Sequence, residues 1–114
     1  MDNVKNDRYY VNRIINDLGF IVAHTAGITQ EELEKDEVLA VSAMFRLIQV
    51  SESADKLSED FKAQNTEIPW RAVKGLRNKI VHEYGSVDLT IIYDTVKNDV
   101  PELLKILSDF IEKQ

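Results

Sequence analysis

Cysteine is absent from this chain of 114 residues, which excludes disulfides, thiolate nucleophiles and every Cys-containing metal site. Histidine is nearly absent: His24 and His82 are the only two, too few for a His-rich metal centre. Glycine and proline number 4 and 2, and no Asn-Gly or Asp-Gly pair marks a hairpin. No stretch alternates apolar and polar residues strictly enough for a pair of strands. No apolar run approaches the roughly 20 residues that a membrane span needs. The opening Met-Asp-Asn-Val-Lys-Asn-Asp-Arg lacks the apolar segment of a signal peptide. These absences point to an all-helical, soluble, cytoplasmic protein. At 13.1 kDa it holds one core, so residues 1–114 form a single domain.

What is present fits that reading. Hydrophobic residues make up 44% and charged residues 30%, the balance of a folded chain rather than a disordered one. Fourteen basic residues against twenty acidic ones give −6, which taken whole argues against a basic protein that coats nucleic acid.

The helices can be placed from spacing and caps. Tyr10, Ile14, Leu18, Ile21 and Val22 recur three and four apart, predicting a first helix from about Asp7 to Ala26. Gly27 sits where a left-handed cap is expected, and Thr29-Gln-Glu-Glu32 reads as a capping box. A long second helix is expected from about Asp36 to Phe61, with Val38, Val41, Met44, Phe45, Ile48 and Leu57 as its inward residues. Lys62 to Ile68 reads as a loop, and Pro69 opens a third helix that ends near His82 or Tyr84, before Gly85. Asp88 can cap a short fourth helix through Lys97, and Pro101 opens a fifth carrying Leu103, Leu104, Leu107 and Phe110. The expected architecture is all-α, an antiparallel bundle of four to five helices.

The informative stretch is Ile68 to Gly85, IPWRAVKGLRNKIVHEYG. Residues 71–84 carry four basic groups and one acid, a formal +3, which leaves −9 on the other hundred. On a helical wheel Val73, Leu76 and Ile80 form the core face. Lys74, Asn78 and His82 form one row away from it, Arg77 and Tyr84 a second, with Trp70 and Val81 between them. Such a surface suits docking against a second copy of the chain. An ideal helix leaves Arg77 and His82 about 140° apart. Either the helix breaks near its end, or two protomers complete one site, and the second is the reading adopted.

Arg77-Asn-Lys-Ile-Val-His82-Glu-Tyr84 matches the R-x-x-x-x-H-x-Y signature of HepT toxins, in the HEPN superfamily of all-helical ribonucleases. Ile-Pro-Trp-Arg before it, Gly85 and Asp88 after it, and the helix order extend the resemblance over nearly the whole chain. It implies a HEPN-like homodimer whose motif helices meet at a metal-independent endoribonuclease site that needs no cofactor. Arg77 and His82 would be catalytic, with Asn78, Lys74 and Tyr84 contacting substrate. The chemistry suits these groups. RNA supplies its own nucleophile, the 2′-OH; His82 is the group that can move a proton near neutral pH; Arg77 offers a fork of donors to the phosphate. The resemblance also implies an MntA-like nucleotidyltransferase antitoxin that silences the toxin by AMPylation of Tyr84.

Structural readings stand beside these. Taken alone, Arg77 is a surface ion-pair partner, His82 a helix C-terminal histidine and Tyr84 a half-buried packing residue. His24 reads as a plain helix-end histidine and Trp70 as structural. Ser51 and Glu52 interrupt the second helix's apolar pattern, leaving them a place beside the motif helix. The alternative function is a non-catalytic helical module that binds a nucleotidyltransferase or a nucleotide.

Overall fold

The computed structural model describes residues 3–83 and 85–113. Tyr84 therefore lies outside the described residues, and so does what was expected of it. All regular structure among the described residues is helical: α1 (Asn3–Thr25), α2 (Gln30–Lys35), α3 (Glu37–Asp55), α4 (Glu59–Gln64), α5 (Trp70–Glu83), α6 (Leu89–Asp94), a π-helical turn (Thr95–Asp99) and α7 (Val100–Glu112). Four long rods, α1, α3, α5 and the joined α6–π–α7, make the bundle, and α2 and α4 are short connectors.

Side-chain pairs fix the directions. Asp17 of α1 accepts from Arg46 and Gln49 of α3, while Asp7 at the start of α1 accepts from Ser58, just beyond the end of α3. The two helices are therefore antiparallel. Lys74–Asp55 and Arg77–Glu52 set α5 antiparallel to α3 in the same way. Val11, Ile14, Leu18 and Ile21 of α1, Leu47 and Val50 of α3, Ile80 of α5 and Leu107 of α7 meet in one core.

The turns follow local chemistry. Gly27, at φ 72°, ends α1 in the left-handed region where a Cβ would be strained. The Thr29–Glu32 box forms in both directions, Glu32 N–H to Thr29 Oγ1 at 3.1 Å and Thr29 N–H to Glu32 Oε1 at 2.9 Å. It opens the short α2, and Asp36 then caps α3 through the Leu39 N–H. Asp88 caps α6 through the Thr90 N–H.

Three expectations need correction. The long second helix stops at Asp55, because Ser58 caps a new helix through the Phe61 N–H and is itself held by the buried Asp7 carboxylate at 2.8 and 2.7 Å. The fourth and fifth helices are continuous. Pro101 has no N–H to return to the preceding turn, and the ladder shifts there into a π turn, with the Val100 N–H reaching Thr95 O. Lys97 in that turn donates to Thr25 O at 2.7 Å, tying it to the carbonyl end of α1.

The third correction concerns which way α3 faces. Val38, Val41 and Phe45 point outward, Val38 with 78% and Phe45 with 57% of its surface exposed. The buried side carries Ala40, Ala43, Met44, Leu47, Val50, Ser51 and Ala54. Its small residues let the flanking helices approach closely. Met44 is inward as expected, whereas Val38, Val41 and Phe45 lie on the side that no neighbouring helix covers among the described residues.

Candidate functional site

The site is built on α5, and its rotation is locked at both ends. At the start, buried Ile68 and exposed Pro69 feed the chain into the helix, with Val73 N–H bonded to Pro69 O at 3.0 Å. The Trp70 indole N–H donates to Asn65 O at 3.2 Å, and its ring meets Phe61 edge to face. Trp70 is thus half-buried at the bundle's end rather than part of an open face between the two motif rows. Further along, Ile80 is fully buried, and Val73 and Leu76 are packed against the core.

That rotation turns Arg77 toward α3. Its Nη2 donates to Glu52 Oε1 at 3.0 Å and its Nη1 to Asn78 Oδ1 at 3.0 Å, with 31% of the side chain exposed. Lys74 faces Asp55 at 3.5 Å one turn earlier. On the register set by these two pairs, Val81 comes opposite Ile48. Val81 is exposed, as Val38, Val41 and Phe45 of α3 are.

His82 is exposed on the solvent side of α5, next to the outward Asn78. The helix remains regular through Glu83. Arg77 and His82 therefore keep the angular separation of an ideal helix, about 140°. Arg77 and Lys74 pair across the α3–α5 seam, with Asn78 held against Arg77 on the outer side; His82 is not brought to the Arg77 fork. Among the described residues no three His, Asp or Glu side chains converge as metal ligands.

A family model described as "Ribonuclease HepT-like" matches residues 14–110. The chain belongs to the HepT-like ribonuclease family.

Individual HepT-like relatives agree over nearly full length. "Putative RNase TTE0752" of Caldanaerobacter subterraneus subsp. tengcongensis is 30% identical, over 97% of this chain and 99% of its own. "Putative RNase MJ0127" of Methanocaldococcus jannaschii is 29% identical, over 95% of this chain and 89% of its own. "Probable ribonuclease HepT" of Thermococcus cleftensis is 29% identical, over 87% and 90%. No solved structure matches.

Within this HepT-like fold, Glu52 is the Arg77 partner that spacing alone located only loosely. It breaks an apolar pattern, and that break is explained by the Arg77 guanidinium it meets. The outward stripe of α3 has a sequence signal too, since Val38, Val41 and Phe45 repeat at three and four, but a core face carries the same spacing.

Proposed function

We propose that this HepT-like chain is the toxin of a type VII-like toxin–antitoxin pair, a homodimeric, metal-independent endoribonuclease that cuts cellular RNA. The observation that carries the dimeric site is the unbroken α5. One helix cannot aim Arg77 and His82 at one phosphate across about 140°, whereas two antiparallel copies can present Arg77 of one and His82 of the other to the same atom. The outward Val38, Val41, Phe45 and Val81 supply an apolar face beside the motif on which a second copy docks.

At such a site His82 takes the proton of the 2′-OH as its oxygen attacks phosphorus. The P–O5′ bond breaks, leaving a 2′,3′-cyclic phosphate, and the imidazolium returns the proton to the departing 5′-oxygen. Arg77 faces the charge that builds on the phosphate oxygens. Its fork keeps donors beyond those given to Glu52 and Asn78. Asn78 and Lys74 position the phosphate chain. An MntA-like nucleotidyltransferase partner silences the enzyme by adding AMP to Tyr84, placing bulk and negative charge where RNA must lie.

The purified protein is expected to cleave RNA in excess EDTA, leaving cyclic phosphate ends, and His82→Ala is expected to abolish this. Cleavage that survives His82→Ala, or that needs a divalent ion, contradicts the reading.

A further inference from the structure

Beside the motif row runs a groove of about 490 Å³ between the end of α3, α4 and the first half of α5. Asn78 and Lys74 form its edge toward the candidate site. Beyond them it is lined by Lys62 of α4 and by Trp70, Arg71 and Gly75 of α5. Its cations Lys62, Arg71 and Lys74 face a single lining acid, Asp55, in a chain whose total charge is −6. Two of these cations hold only loose surface pairs, Lys74 with Asp55 at 3.5 Å and Lys62 with the outward Glu59 at 3.6 Å. Exposed pairs of this kind contribute little and yield readily to a stronger anion.

Gly75 is the one glycine that lines this groove. It lies in the middle of α5 with an ordinary helical backbone, since Gly27 is the one glycine given a positive φ among the described residues. A Cβ built on Gly75 would meet nothing within 4 Å. Glycine weakens an exposed helix relative to alanine, and neither backbone geometry nor packing requires it here. The space above Gly75 belongs to the groove. An apolar floor is present as well: the Trp70 N–H is already bonded to Asn65 O, so the ring offers the groove only its carbon surface.

We propose that this groove holds the RNA chain next to the scissile phosphate. Neighbouring phosphates lie against Lys62, Arg71 and Lys74, and the sugar–phosphate backbone passes close over Gly75. The assignment of RNA as occupant rests on the ribonuclease reading, and continuity with Asn78 and Lys74 favours it over an acidic peptide. Lys62, Arg71 and Gly75 thereby become substrate-binding positions.

The test measures binding apart from cleavage, by anisotropy of a labelled single-stranded RNA on the His82→Ala protein across a salt series. Adding Gly75→Ala is expected to raise Tm by about 3–5 °C, as alanine improves the helix, yet to weaken RNA binding about fivefold or more. Adding Lys62→Ala is expected to weaken binding and reduce the salt slope by about 0.7, one phosphate contact on a single strand. Unchanged affinity in both variants overturns the proposal. So does loss of the dimer on Gly75→Ala, which would assign the glycine to the subunit contact, or displacement of RNA by polyglutamate at equal charge. If the unmutated protein fails to cleave while these binding effects hold, the ribonuclease reading falls and the groove stands. If cleavage is sound and the variants bind as the parent does, the groove falls alone.

Discussion

Arg77 and Glu52 meet across the α3–α5 seam, guanidinium Nη2 to carboxylate Oε1 at 3.0 Å, with Asn78 Oδ1 holding the other end of the fork at the same distance. An arginine side chain loses considerable rotamer freedom when it must hold one pose. Two acceptors on two sides restrict it before any substrate arrives. In the proposed site Glu52 is a positioning residue: it touches Arg77 and acts on phosphate only through it.

Replacing Glu52 by alanine is expected to lower kcat about tenfold. KM should change less than threefold and the Tm by no more than about 4 °C, because exposed ion pairs contribute about 1 kcal/mol or less. Steady-state cleavage and a thermal melt check this together. A large fall in Tm with kcat intact would show that the pair serves the fold instead.

The outward face of α3 carries its own consequence. Val38, Val41 and Phe45 expose apolar surface that the single chain leaves uncovered. Phe45→Glu places a charge there without disturbing the buried side of α3. The variant is expected to sediment as a monomer, to keep the parent's helical circular-dichroism signal, and to lose at least 100-fold in cleavage. A Phe45→Glu protein that remains dimeric would place the subunit contact elsewhere.

Acid stability has one identifiable local contributor in the capping box at α2. The Thr29 backbone N–H, and then its hydroxyl, hold the Glu32 carboxyl below its ordinary range. The folded value lies below the unfolded one, so the stabilisation is fully present above the unfolded value and fades as pH falls through the folded value. Glu32→Gln keeps an acceptor but cannot titrate. The Tm gap between the parent and this variant is expected to be widest near neutral pH and to close in acid. A gap that stays constant or widens toward acid contradicts the assignment.

Much of this architecture is legible from short-range chemistry. Gly27, the Thr29–Glu32 box and the Asp88 cap depend on residues a few positions apart, and each appears where spacing places it. The α5 core face is legible for the same reason, because Val73, Leu76 and Ile80 repeat cleanly against charged neighbours. What sequence pattern misplaces is decided by distant partners. The break after Asp55 depends on Asp7, some fifty residues away, holding Ser58. The facing of α3 depends on neighbours on both flanks, and a helix with apolar residues nearly all round gives periodicity little to choose by. The π turn depends on how Pro101 is accommodated in a continuous rod. At the candidate site, the motif row is legible, whereas the Arg77–Glu52 pairing needed the antiparallel register of α3 and α5.

If Arg77 and His82 of different protomers share one phosphate, two chains that are each inactive restore activity when paired. Arg77→Ala and His82→Ala chains, each inactive alone, are co-expressed with different tags so that mixed dimers form. In a mixed dimer, one of the two shared sites regains both an intact Arg77 and an intact His82. With random pairing, half the dimers are mixed, so the preparation is expected to recover about a quarter of the parent's activity, and tag-purified mixed dimers about half. Mixed dimers that form and remain as inactive as either parent chain would contradict the shared site.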